Sequence, residues 1–268
     1  MFPLWLDTAA TQPNLSSRLA EALSQRYGRQ VPTEDLFAYI VGIAANPAYT
    51  ERFQEDLSTP GLRIPITAEP MLFIEVASLG RRVIWLHSYG ERMTDAVQGR
   101  PPGAPRVAAE MRPTIPKEGT IPPDMPLPDE LHYDAIAQRL HLGQGFIDRV
   151  APAAWAYEVD GKQILLQWFS YRKRDRSKPT MGDKRPPSPL QNIQPEHWLA
   201  EYTTDLLDLL NVLTLLVELE PEQAKLLARV CEGALVSAAE LEAEGAIGAV
   251  AVEDNAGAGK NEKQVELF

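Results

Sequence analysis

Cysteine is nearly absent from this 268-residue chain, with Cys231 standing alone. A single thiol excludes a disulfide framework and a thiolate metal cluster. Long apolar runs are missing as well, since no stretch approaches the roughly 20 residues that span a bilayer. Residues 1–6 lack the basic start, apolar middle and small-residue cleavage site of a signal peptide. Together these absences predict a cytoplasmic protein with no membrane part.

Histidine is scarce too. His87, His132, His141 and His197 share no H-x-x-x-H or H-E-x-x-H spacing, so no zinc pattern forms. A phosphate-binding loop needs two glycines and Lys-Ser/Thr at set spacing. Gly257-Ala258-Gly259-Lys260 lacks the first glycine and is followed by Asn261. An adenine amino-methyltransferase needs a D/N-P-P-Y/F loop around the flipped base. Pro122-Pro123-Asp124 and Pro186-Pro187-Ser188 carry the prolines without the flanking residues. Ser170 and Ser188 lie in no G-x-S-x-G elbow. His132-Tyr133-Asp134 has the residue types of a hydrolytic cluster, and equally those of a strand entry with hydrogen-bonding side chains.

Basic charge is in deficit, with a net of −11, and its distribution matters more than its sum. Residues 1–80 net −4, residues 81–186 net +4, and residues 187–268 net −11. A weakly basic middle is flanked by acidic ends.

What is present reads as helices around a short β region. Asn14 is placed to cap a helix carrying Leu15, Leu19, Ala22 and Leu23, with Gly28 as its stop. Thr33 is the next cap, followed by Glu34 and Asp35, then a stripe of Leu36, Phe37, Ile40, Val41 and Ile43. Residues 48–57 predict an amphipathic helix with Tyr49, Phe53 and Leu57 inward, and residues 70–89 a long one. Nine prolines between 99 and 128 exclude regular helix there, so residues 98–130 read as a linker or wrapping loop. Residues 140–142, 145–150 and 162–171 read as β-like, with Asp160-Gly161 as a turn. Residues 195–219 predict a helix, and Pro221 the start of another reaching Glu232. Residues 245–268 are rich in small and charged residues and predict a disordered, dispensable tail.

The strongest positive signal is the aromatic run Trp168-Phe169-Ser170-Tyr171 leading into Arg172, Lys173, Arg174, Arg176 and Lys178, with Lys184 and Arg185 beyond. Clustered cations bind duplex phosphates by releasing condensed counterions, and arginine also reads guanine. A solvated loop balancing the acidic C-terminal helices explains the same residues. Arg81, Arg82 and Arg92 form a weaker basic set. Arg81 and Arg82 are adjacent on a helix and face different ways, so one is expected in a salt bridge, with Glu55, Asp56 and Glu75 as candidate counter-charges.

Several segments resemble the C-terminal specificity region of type ISP restriction–modification enzymes, bacterial single-chain proteins that join nuclease, translocase, N6-adenine methyltransferase and target-recognition parts. They include Phe2-Pro3-Leu4-Trp5-Leu6, Asn46-Pro47-Ala48-Tyr49, Arg63-Ile64-Pro65-Ile66-Thr67 and Tyr89-Gly90-Glu91-Arg92. Trp155-Ala156-Tyr157-Glu158-Val159-Asp160-Gly161, Trp168-Phe169-Ser170-Tyr171-Arg172 and Glu201-Tyr202-Thr203-Thr204-Asp205-Leu206-Leu207 continue the series. The resemblance runs in order over roughly residues 1–235. In the family the catalytic parts lie upstream, whereas this sequence opens on Met1, as a split subunit, a fragment or a decayed remnant would.

The resulting expectation is an α+β fold. Mostly helical N-terminal (1–97) and C-terminal parts pack with a small central antiparallel or mixed sheet inside 131–235, and 236–268 is a helix end and tail. The resemblance implies a double-stranded-DNA-binding module that directs adenine methylation and restriction performed by a methyltransferase/translocase partner. S-adenosylmethionine would then belong to that partner and no cofactor to this chain. A protein–protein module docking through its acidic helices is the alternative, and a hydrolase using His132 and Asp134 a third.

Overall fold

The computed structural model describes residues 4–59, 61, 63–173 and 195–247. Among them are eight α-helices and two small antiparallel sheets, the α+β class expected from sequence. Internal contacts divide the chain into two compact units, residues 1–100 with 219–268, and residues 101–218. No helix of the described residues is long and apolar enough to cross a membrane.

The first unit is helical. Helix α1 (Ser17–Tyr27) is capped by Ser16, not Asn14, and its Oγ accepts from the Leu19 amide at 3.3 Å. Gly28 ends it at φ 63°, the left-handed conformation that costs glycine least. Helix α2 (Thr33–Ala44) starts one residue earlier than a Thr33 cap requires, because Pro32 occupies the cap position. The expected helix 48–57 is a short α3 (Pro47–Arg52) and a 3-10 turn at Asp56–Ser58, which leaves Leu57 exposed. Helix α4 (Pro70–His87) packs against α2 through a close crossing. There Gly80 lies against the Ala38 carbonyl, and a β-carbon on Gly42 would sit 2.6 Å from the Val76 carbonyl oxygen. Leu23, Leu36, Tyr39, Ile43, Phe73, Val76, Val83 and Leu86 fill the core between these helices.

Three tyrosine hydroxyls tie down the extended piece around Pro65. Tyr27 Oη donates to the Thr67 carbonyl at 2.6 Å, Tyr39 Oη to the Pro65 carbonyl at 2.8 Å, and Tyr49 Oη to the Arg63 carbonyl. The Thr67 amide in turn donates to Tyr39 Oη at 3.1 Å. Burial raises the hydroxyl pKa of Tyr27 and Tyr39 well above the ordinary 10. An unfolded chain therefore releases these protons near pH 10 while the folded one keeps them. The stabilisation is complete below that pH and is lost as pH rises above it, by up to about 1.4 kcal/mol per pH unit for each tyrosine. Urea unfolding between pH 8 and 11 is expected to show this fall, with a shallower slope in Tyr39→Phe. A flat profile would contradict it.

The second unit contains the proline-rich stretch and the sheet. Far from being bare linker, the stretch buries Val107, Met125 and Leu127. The Val107 amide donates to Asn211 Oδ1 at 2.9 Å, the Trp198 amide to the Met125 carbonyl at 2.8 Å, and Thr114 bridges Asp148. Strands β1 (Leu131–Asp134), β2 (Arg139–Leu142) and β3 (Gly145–Ile147) form an antiparallel meander in that order. Leu140, Leu142 and Ile147 are fully buried. Helix α5 (Pro152–Trp155) follows, then the hairpin β4 (Glu158–Val159) and β5 (Lys162–Gln163), which turns at Asp160-Gly161 as expected.

Two expectations fail here. Residues 164–170 form helix α6 (Ile164–Ser170), not a strand. Leu165 and Phe169, four apart, are its buried pair, and a short apolar run reads either way until burial decides it. Pro221 begins no new helix but lies inside α7 (Ala200–Glu232). Buried leucines on both sides (Leu216, Leu219, Leu226, Leu227) outweigh the roughly 3 kcal/mol that an interior proline costs. Helix α7 gives residues 200–218 to the second unit and the rest to the first. Helix α8 (Ala238–Ala243) opens with a Ser237/Glu240 capping box. Beyond it Ala246 is buried and its carbonyl accepts from Ser16 Oγ at 3.2 Å, so the packed chain continues past Gly245. The remainder of the expected tail, 248–268, lies outside the described residues.

Candidate nucleic-acid interface

Of the ten cations expected at a DNA surface, Arg174, Arg176, Lys178, Lys184 and Arg185 lie outside the described residues. The other five fall in different units. Arg81, Arg82 and Arg92 belong to the first, Arg172 and Lys173 to the second.

Within the first unit, Arg81 and Arg82 do face differently. Arg81, half-buried on α4, pairs with Asp35 in the first turn of α2, and Arg29 approaches the same carboxylate at 3.8 Å. Burial, and behind it the Arg100 guanidinium, pulls the Arg81 pKa down. The counter-charge is thus Asp35 and none of the three acids expected. Glu75 instead pairs with Arg229 of α7, and Asp56 contributes its backbone carbonyl to Arg63. Arg82 and Arg92 point to solvent.

In the second unit Arg172 is held from three sides. Its guanidinium lies 4.1 Å from the Trp168 ring centre and 5.4 Å from that of Tyr202. One arm donates to the Trp168 carbonyl at 3.0 Å, and the other approaches Asp205 at 3.8 Å. Trp198 packs beside them, 6.2 Å from Trp168 and 5.3 Å from Tyr202 between ring centres. This arrangement fastens the end of α6 to α7, and Lys173 is exposed just beyond it. Arg172→Ala is expected to lower stability by about 1–2 kcal/mol, since it removes a stacked cation and its hydrogen bond. Denaturant unfolding measures that loss. An unchanged midpoint would contradict the anchoring role.

In the suspected hydrolytic cluster, the meander turns Tyr133 away from His132 and Asp134. Tyr133 turns inward, stacks on Trp155 at 5.1 Å and donates to the Val150 carbonyl at 2.8 Å. His132 and Asp134 lie on the opposite face. His132 pairs there with His141, their rings 5.8 Å apart, and His141 with Phe146. Arg139 covers the Phe146 ring at 3.7 Å and bonds Asp148 at 2.6 Å. Asp134 is spent on its own turn, where two amides, Ala137 foremost, hold its carboxyl below the ordinary range. Among the described residues no group of three or more His, Cys, Asp or Glu side chains is placed to hold a metal ion. Sequence reading missed this outer face, although alternating His132, Asp134, Arg139 and His141 was a visible signal.

Residues 1–209 match the family model of the Type ISP C-terminal specificity domain. The chain belongs to that family. The matched span of this specificity domain takes in all ten cations and ends inside α7. No curated protein matches it. The solved structures that are similar to it include the following two. The DrdV–DNA complex, a cryo-electron microscopy structure, aligns with 78% of this chain and 19% of its own, at 20% identity and a TM-score of 0.49. A nuclease-deletion mutant of the Type ISP restriction–modification enzyme LlaGI, in complex with a DNA substrate mimic, aligns with 75% and 14%, at 16% identity and a TM-score of 0.45. The specificity domain thus spans less than a fifth of either chain.

Proposed function

We propose that this chain is the DNA target-recognition module of a restriction–modification system, directing adenine methylation and restriction that other domains or chains carry out. The observation that carries this reading is the family match over residues 1–209. In this reading double-stranded DNA is the ligand, and a methyltransferase/translocase part is the partner that supplies S-adenosylmethionine and the chemistry.

Arg81 and Arg172 are committed to Asp35 and to the Trp168/Tyr202 pair. We assign phosphate contacts to the basic run Lys173, Arg174, Arg176, Lys178, Lys184 and Arg185, with Arg82 and Arg92 as a second set, because clustered cations are what duplex phosphates reward. Phosphate contacts set the register of such a module on the duplex, and contacts to base edges supply its specificity. The net charge of −11 works against long-range attraction, so binding depends on local contacts inside a Debye length of about 10 Å.

Titrating the purified chain against mixed-sequence duplex at several salt concentrations tests the assignment. Log affinity is expected to fall linearly with log salt, by about 0.9 for each phosphate contacted. No duplex binding at 50 mM salt would overturn it.

A further inference from the structure

The loop between β1 and β2, residues 135–138, is built stiffly for so small a turn. Asp134 Oδ1 accepts the amides of Ile136 at 2.9 Å and Ala137 at 3.0 Å. Both flanks are tied to Val150, whose amide donates to the Gln138 carbonyl at 2.9 Å and whose carbonyl accepts from Tyr133 Oη. Gln138 is held at φ 50°, a conformation that turn residues such as Asn or Gly adopt more readily.

At the crown of this turn stands Ile136, 99% exposed and the most exposed large apolar side chain of the described residues. Ala135 and Ala137 flank it, so a single branched side chain rises from a narrow tip. Nothing in the fold asks for isoleucine here. A turn of this kind favours Asp, Asn, Ser or Gly, and full exposure forfeits the stabilisation that burial would bring. One isolated side chain also falls far short of the roughly 800 Å² per partner that a standard protein–protein interface buries. A wedge at a DNA base step needs only one apolar side chain on a rigid, narrow support.

We propose that Ile136 is such a wedge, pressed from the minor groove against a base step of the bound duplex, with Gln138 beside it facing the base edges. The wedge enters as the kink opens the minor groove, otherwise about 6 Å wide, and the small side chains of Ala135 and Ala137 leave Ile136 standing clear of the turn. This inference rests on the DNA-recognition reading above and assigns it a residue that works without charge.

That property makes the test specific. Duplex affinity is measured across salt for the parent chain, Ile136→Ala and Ile136→Leu, on duplexes carrying the stacking-sensitive base 2-aminopurine. Ile136→Ala is expected to melt with the parent, because its side chain touches nothing in the fold. It should bind roughly 10-fold or more weakly at every salt, with an unchanged salt slope and without the fluorescence rise that marks unstacking. Ile136→Leu should restore most of both signals. An Ile136→Ala chain that binds and unstacks like the parent overturns the wedge and leaves DNA recognition standing. A parent that binds no duplex overturns both.

Discussion

Leucine in place of Gly80 is expected to unfold the helical unit or to cost it about 3 kcal/mol or more. Helices α2 and α4 cross where a β-carbon on Gly80 would overlap the Ala38 carbonyl oxygen and lie within 2.9 Å of the Gly42 amide nitrogen. Those neighbours are backbone and cannot swing aside as a flexible side chain does. Overpacking a core ordinarily costs about 1–3 kcal/mol, and here the clash separates two helices that share Tyr39, Ile43, Phe73 and Val76 as core. Helix propensity alone argues the other way, since leucine gains just under about 1 kcal/mol over glycine. The sign of the change therefore separates the two effects. Denaturant unfolding of Gly80→Leu reads it, and a variant as stable as the parent would contradict the close crossing. Against a typical total of about 5–15 kcal/mol, a loss of this size removes much of the stability.

Removing Lys173, Arg174, Arg176, Lys178, Lys184 and Arg185 together, each to alanine, is expected to have the largest effect on binding. Six to ten phosphate contacts make affinity fall by about 10³–10⁵ between 50 and 200 mM salt. Losing six of them should flatten the plot of log affinity against log salt by about five units. Arg172 is left in place because its guanidinium fastens α6 to α7, so its removal would confuse folding with binding. Circular dichroism and melting should match the parent. A six-fold variant that keeps the parental affinity and slope would refute the assignment of these cations to DNA.

The sequence disclosed more of the fold than of the interface. Gly28, Pro70 and Asp160-Gly161 act through local backbone preferences, so the helix stop, helix start and turn they mark were readable directly. Residues 164–170 and Pro221 were misread because tertiary burial decided both, through Leu165 and Phe169 in one case and the leucines flanking Pro221 in the other. Prolines in 98–130 excluded helix correctly, yet proline spacing says nothing about Val107 or Met125 entering a core. At the candidate interface, adjacency on a helix told that one of Arg81 and Arg82 enters a salt bridge, and the structure shows that it is Arg81. Its partner Asp35 lies on another helix, and only the α2–α4 crossing brings the two together. Ile136 gave no signal at all. It precedes the stretches 140–142 and 145–150 that read as β-like, and only the hairpin geometry puts it on an exposed turn.

Sequence recognition itself is tested most directly by selection. The purified chain would be incubated with a pool of random-sequence duplexes at about 150 mM salt, and bound molecules recovered, amplified and sequenced over several rounds. A target-recognition module is expected to enrich one short consensus and to bind it at least about 10³-fold more tightly than scrambled duplex, the lower end of what specific DNA binders achieve. Uniform recovery without a consensus, or equal affinity for the consensus and its scramble, would contradict the account.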